Sequence, residues 1–240
     1  MFGNSIDKYL QKTGFASFRP KAAMFDMDGV IYDSMPNHAR SWHMAMKSIG
    51  IDMPPEDAYK YEGMRGVETI RLLFREQRHE ELSEDAAKEY YRIKSDAYNS
   101  CPSAALMPGI RRLMEKIKAS GLDIVVVTGS AQHSLLDKLE RDLGGLVDRR
   151  LVVCANDVVH GKPDPEPYLK GLEKVGAEPW QAFIVENAPL GVRAGVAARV
   201  FTIAANTGPL PDSMLLGEGA DMIFPSIASL AGSFRIPPTL

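Results

Sequence analysis

Lys21-Ala22-Ala23-Met24-Phe25-Asp26-Met27-Asp28-Gly29-Val30 runs from an apolar stretch into two carboxylates spaced two residues apart. Lys21 to Phe25 reads as a short buried strand, and Gly29 breaks it. A strand alternates its faces, but a turn beginning at Asp26 can bring both acids to bear on one cleft. In an open α/β sheet, ligands bind at the carboxyl ends of strands. Two carboxylates there repel each other unless a cation or a shared proton intervenes. Asp and Gly are also ordinary turn residues, so the motif gains its weight from the rest of the chain.

Downstream the texture turns helical. Pro36 suits a first helical turn, with Ser34 or Met35 near the cap position. Ala39, Trp42, Met46 and Ile49 recur at helical spacing until Gly50, and Val67, Ile70, Leu73 and Phe74 make a second stripe. Ala86, Tyr90, Ile93 and Ala97 make a third, entered through Ser83, Glu84 and Asp85. Nothing from Pro36 to Ser103 reads as a strand, so an all-helical insert over 35–103 is expected. Strand and helix then alternate. A helix over Ile110 to Ala119 leads to the run Ile124–Val127, and a helix near Gln132 to Asp142 leads to Leu151–Cys154. The helix Glu166 to Val175 precedes Ala182–Val185, and the helix Gly191 to Ala198 precedes Val200–Ile203, with a sixth strand at Met222-Ile223. This alternation implies βαβ units: an α/β, Rossmann-like parallel sheet core over 1–34 and 104–240, interrupted after its first strand. The tail Ile236-Pro237-Pro238 is expected to fray.

Composition narrows the function classes. The chain has 240 residues, 45% hydrophobic and 25% charged, as in ordinary globular proteins. A net charge of −3 lacks the basic surplus of a nucleic-acid footprint. Cys101 and Cys154 stand apart without metal-ligand spacing and read as reduced thiols. Residues 1–20 lack the apolar core of a signal peptide, and no span is long enough to cross a bilayer. A soluble, cytoplasmic monomer without nucleic-acid or membrane partners is the expectation.

Three further strand ends carry chemistry. The second ends in Thr128-Gly129-Ser130, whose hydroxyl and backbone N–H groups suit a phosphate. Gly161-Lys162-Pro163-Asp164-Pro165 holds one lysine on a stiffened turn, placed to balance negative charge. The fourth strand ends in Glu186-Asn187, and an acid directly after Ile184-Val185 is costly without a partner. With Asp26 and Asp28 nearby, a hard cation such as Mg²⁺ fits an all-oxygen set.

Asp26-Met27-Asp28-Gly29-Val30, Thr128, Lys162 and Glu186-Asn187, in that order, resemble the four motifs of the haloacid dehalogenase superfamily. The helical insert is similar to the cap of its β-phosphoglucomutase-like branch. The resemblance spans nearly the whole chain and is specific for the superfamily rather than for a substrate. It implies Asp26 as a nucleophile forming an aspartyl phosphate, and Asp28 as general acid and base with its backbone carbonyl facing the metal. It implies Thr128 on a phosphoryl oxygen, with Gly129 and Ser130 beside it, and Lys162 offsetting charge. Mg²⁺ would sit among Asp26, Asp28, Glu186 and Asn187.

One departure concerns Asn187, where phosphotransfer members usually carry aspartate. Glu62, just before Gly63-Met64-Arg65-Gly66 in the insert, could return the missing charge to the metal. Acid followed by Arg65 resembles an inorganic pyrophosphatase offshoot of the branch. Arg65, Lys94 and His38 are candidate substrate contacts. The expected function is Mg²⁺-dependent hydrolysis of pyrophosphate or a small phosphorylated metabolite. The alternatives are a β-phosphoglucomutase and a non-enzymatic phospho-acceptor domain, the latter disfavoured by the insert.

Overall fold

The computed structural model describes residues 2–130 and 133–235, with the backbone alone over 133–135. The expected start at Gln132 and the tail Ile236-Pro237-Pro238 lie outside the described residues. Six parallel strands form one sheet: β1 (Ala22–Asp26), β2 (Asp123–Val127), β3 (Val152–Val153), β4 (Ala182–Glu186), β5 (Phe201–Ala205) and β6 (Met222–Phe224). Their order is β3-β2-β1-β4-β5-β6, which makes this an α/β fold with a Rossmann-like sheet. The chain steps outward from β1 in both directions, so the carboxyl end of β1 is the point where the strand order reverses. Asp26 is level with Val127 on β2, and Phe25 with Val185 on β4. Asp26, Thr128 and Glu186 therefore finish on one rim.

The apolar runs are continuous because both faces of the sheet are covered. On one side Ala23, Phe25, Ile124 and Val126 pack against α5 (Ile110–Ala119), α6 (His133–Leu143) and α10 (Ile227–Ser233). On the other, Met24, Val125, Val127 and Ile184 meet Tyr168 and Leu172 of α7 (Glu166–Val175) and Ala194 of α8 (Pro189–Ala197). Two strands outrun their apolar stretch by one residue, β1 into Asp26 and β4 into Glu186. Pro189 opens α8 two residues before the expected Gly191, its missing N–H costing nothing in a first turn.

The first helix, α1 (Phe2–Thr13), was not expected. It seats Ile6 and Tyr9 in the core, where the Tyr9 hydroxyl donates to the Arg199 carbonyl at 2.9 Å. Helices α9 (Asp212–Gly217) and α10 are also additions to the expected elements.

Between β1 and β2 lie α2 (Met35–Ser48), α3 (Gly66–Arg78) and α4 (Glu84–Asn99), with a single 3-10 turn at Pro55–Tyr59. Ala39, Trp42 and Met46 join Ile70, Leu73, Phe74 and Ala87 in a cluster of their own. The expected stripe on α4 is out of phase. Ile93 faces solvent, whereas Ala87 and Lys94 are the buried residues. The Lys94 ammonium lies 5.0–5.8 Å from the ring centres of Tyr98, Trp42 and Tyr91, cation–π contacts that accompany its burial. No described helix is long and apolar enough to cross a membrane.

Candidate active site

Asp26, the last residue of β1, is buried and in direct contact with the ammonium of Lys162. Lys162 also donates to Glu186 Oε1 at 2.7 Å, and the Tyr168 hydroxyl donates to the same oxygen at 2.6 Å. Glu186 Oε2 accepts the backbone N–H groups of Asn187 and Ala188 at 2.9 and 3.1 Å. A Cβ at Gly191 would fall 1.8 Å from Glu186 Oε1, so only glycine leaves room for this carboxylate inside the first turn of α8. Burial by itself would lower the Lys162 pKa, but Asp26 and Glu186 hold it well above the usual lysine value.

Glu186, one of the expected metal ligands, is engaged by the protein itself. Glu186 has both oxygens engaged by Lys162, Tyr168 and two backbone N–H groups, and it is fully buried behind the rim. Among the described residues no three His, Cys, Asp or Glu side chains gather as a metal site. What does point to a cation is a pair of buried oxygens without partners, Asp26 Oδ2 and Asn187 Oδ1. Asn187 lies against Gly29, where a Cβ would come within 2.1 Å of Nδ2. A buried acceptor left unsatisfied is costly, and two on adjacent strand ends suit a hard cation with oxygen ligands.

Asp28 follows in the turn. Its Oδ1 accepts from Ser34 Oγ at 2.5 Å and pairs with His38 Nε2 at 3.3 Å. Ser34 holds the N-cap position of α2, as expected, but its hydroxyl makes no bond to the helix and serves Asp28 instead. Lys94 Nζ meets His38 Nδ1 at 2.9 Å. An ammonium can only donate, which assigns the ring hydrogen to Nε2 and gives the chain Lys94 to His38 to Asp28. Burial would raise the Asp28 pKa, but His38, Ser34 and Lys94 outweigh it and hold it at about 2. Burial pushes Lys94 below the ordinary lysine value, against the opposing pull of Glu62 and Asp28.

The insert contributes the facing wall. A cavity of about 560 Å³ opens above Asp28 and is lined by His38, Glu62, Tyr91, Lys94 and Ser130. Thr128 is buried at the end of β2, its Oγ1 accepting the Ser130 N–H at 3.1 Å, and Gly129 also lines the cavity. Burial raises the Glu62 carboxyl, with His38, Lys94 and Lys162 opposing and Asp28 adding to it, so Glu62 shares one field with all four. A Cβ at Gly63, whose φ is +90°, would lie 2.9 Å from Lys162 Cδ, which places the loop directly on the lysine.

Arg65, expected to contact phosphate, lines the same cavity. Its Nη1 donates to the Val159 carbonyl at 2.9 Å, and its stem fills the notch at Gly161. It ties the insert loop to the loop that carries Lys162. Two site residues escaped the sequence reading. Ser34 gave no signal beyond its cap-like position, and Tyr168 showed only that it lies six residues after Lys162, on the next helix.

The comparisons agree with this architecture. A family model described as haloacid dehalogenase-like hydrolase matches residues 23–205. Hexitol phosphatase A of Escherichia coli K12 is 29% identical, over 78% of this chain and 84% of that protein. Glycerol-1-phosphate phosphohydrolase 2 of Saccharomyces cerevisiae is 31% identical, over 76% of this chain and 73% of its own. The structure of a candidate β-phosphoglucomutase from Bacteroides vulgatus superposes with a TM-score of 0.92. It shares 47% identity and covers 96% of this chain and 94% of that one.

Proposed function

This chain belongs to the haloacid dehalogenase-like hydrolase family, and from that premise we propose a Mg²⁺-dependent phosphohydrolase acting through a phosphoryl group on Asp26, with inorganic pyrophosphate as leading substrate. The observation that carries the chemistry is Asp26 itself, clamped to Lys162 through Oδ1 while Oδ2 has no protein partner. Asp26 Oδ2, Asn187 Oδ1 and the Asp28 carbonyl would hold the ion, with Glu62 approaching from the insert. Glu186 is left out, its oxygens being spent on Lys162, Tyr168 and the α8 backbone. When bound, the ion would offset charge on the transferring group.

In the first half-reaction a carboxylate oxygen of Asp26 attacks phosphorus. One P–O bond forms as the bond to the bridging oxygen breaks, and phosphate departs. In the second, water attacks the phosphoaspartate and passes a proton to Asp28 as the P–O bond to Asp26 breaks. Phosphate leaves, the Asp26 carboxylate returns, and the proton on Asp28 goes to the next leaving group. Lys162 balances charge on Asp26 throughout, and Thr128 with the Gly129-Ser130 backbone holds phosphoryl oxygens. His38 and Lys94 set the protonation and orientation of Asp28.

Pyrophosphate is favoured by the insert. Asp28 accepts bonds from Ser34 and His38, which suits a base. A departing phosphate needs less protonation than a sugar alkoxide. A carboxylate at Glu62 would repel a second sugar-bound phosphate but could close on a metal-bound pyrophosphate. The second reading is a sugar phosphate, processed by hydrolysis or by mutase transfer. The 560 Å³ cavity exceeds what pyrophosphate needs, and the relatives named above act on polyol phosphates by their names.

The test is phosphate release from pyrophosphate and β-glucose 1-phosphate by wild type and Glu62→Gln. Activity should vanish with EDTA and return with Mg²⁺, and Ca²⁺ should substitute poorly. Glu62→Gln should lower kcat/KM on pyrophosphate by about tenfold or more, raise the Mg²⁺ requirement and spare the sugar phosphate. Faster wild-type turnover of β-glucose 1-phosphate, with Glu62→Gln neutral, would transfer the assignment to sugar phosphates.

A further inference from the structure

We propose that Tyr168 is a positioning residue for the transfer, acting through Glu186 to keep Lys162 aimed at Asp26; the inference rests on the phosphohydrolase reading. Tyr168 is fully buried on the first turn of α7, and it does not line the substrate cavity. The loop that presents Lys162 runs directly into this turn, so lysine and phenol reach Glu186 from one continuous segment. Both end on the same oxygen, Lys162 at 2.7 Å and the hydroxyl at 2.6 Å, with the Lys162 ammonium 5.2 Å from the tyrosine ring centre.

Counting acceptors shows what the hydroxyl does. A carboxylate has about four lone-pair positions. In Glu186, Oε2 takes two backbone N–H groups, and Oε1 takes Lys162 and Tyr168. Every position is filled, so the carboxylate cannot rotate and its pull on the lysine is shared with the phenol. Lys162 stands between two carboxylates that compete for one ammonium. Without the hydroxyl, Glu186 Oε1 has the lysine as its remaining partner, and the ammonium is drawn away from Asp26. The ring alone would satisfy the packing, since its apolar neighbours are Met24, Val125 and Leu172. The hydroxyl is therefore the part with a separate task.

The experiment compares wild type, Tyr168→Phe, Glu186→Gln and the double variant in the full-length enzyme with Mg²⁺, on both pyrophosphate and β-glucose 1-phosphate, at a temperature below every melting point. A further variant carries 3-fluorotyrosine at position 168, which keeps ring and hydroxyl. The loss of one charge-assisted hydrogen bond acting on the reacting pair predicts about a tenfold fall in kcat for Tyr168→Phe. KM should stay within about twofold, because the residue touches no substrate. Fluorotyrosine should restore kcat, and Tyr168→Phe should add nothing in the Glu186→Gln background. An unchanged kcat in Tyr168→Phe, or the same loss with Glu186 already altered, would overturn the proposal. So would kcat and KM moving together in step with the melting temperature. Wild type that releases phosphate from neither substrate would overturn the hydrolase reading and this inference with it. Active wild type with silent Tyr168→Phe would overturn this inference alone.

Discussion

Two lysines are buried among the described residues, and the molecule holds them in opposite ways. Lys162, on the core side, touches Asp26 and Glu186, and its pKa is driven up. Lys94, on the insert side, meets an imidazole and three aromatic rings, and burial drives its pKa down. The first is a buried cation shared by two carboxylates under the rim of the sheet. The second stands at the wall of a cavity, one histidine removed from the carboxylate it influences. The contrast separates two jobs. On the proposed mechanism, the core cluster would supply a constant charge environment for phosphoryl transfer, and the insert wall groups that a ligand would meet.

The largest effect should come from the core side. Asp26→Asn keeps the shape of the cluster but removes the attacking carboxylate, and turnover should fall by many factors of ten with the fold intact. A folded Asp26→Asn protein retaining most of its activity would end the covalent account. Lys162→Met comes next and should also abolish turnover. It leaves Asp26 and Glu186 buried without their cation, which predicts about 3–5 kcal/mol lost from stability, read as a lower urea midpoint. Lys94→Met is the smallest change in stability and sharpens the comparison most. An apolar chain among Trp42, Tyr91 and Tyr98 should leave the urea midpoint unchanged or raise it, since no contacting carboxylate is orphaned. Turnover should still fall by about tenfold, because His38 loses the donor that orients it toward Asp28. Equal destabilisation by the two lysine substitutions would erase the distinction between the walls.

Most of the core side was legible in the chain. The apolar runs ending in Asp26, Thr128 and Glu186 mark strand ends because a parallel sheet buried on both faces needs unbroken apolar segments. Pro163 and Pro165 mark the turn holding Lys162. The partners of Glu186 were not legible, because they arrive from a loop and a helix elsewhere in the sequence. Ser34 looked like a helix cap because caps and carboxylate donors call for the same hydroxyl. On α4, periodicity set Ile93 inward, but Lys94 is the buried residue. The aromatic rings around it come from α2 as well as from α4 itself, so no window on one helix contains them. Helix α1 was missed because Phe2, Ile6, Tyr9 and Leu10 keep helical spacing amid charged residues and declare themselves only against the far side of the sheet.

The account stands or falls on a phosphoryl group carried by Asp26. Acid quench during steady-state turnover of pyrophosphate with Mg²⁺, followed by digestion and mass spectrometry, reads this directly. The account predicts one added phosphoryl mass on the peptide containing Asp26, absent from Asp26→Asn and absent without Mg²⁺. A phosphoryl group on any other residue, or its persistence in Asp26→Asn, would contradict it.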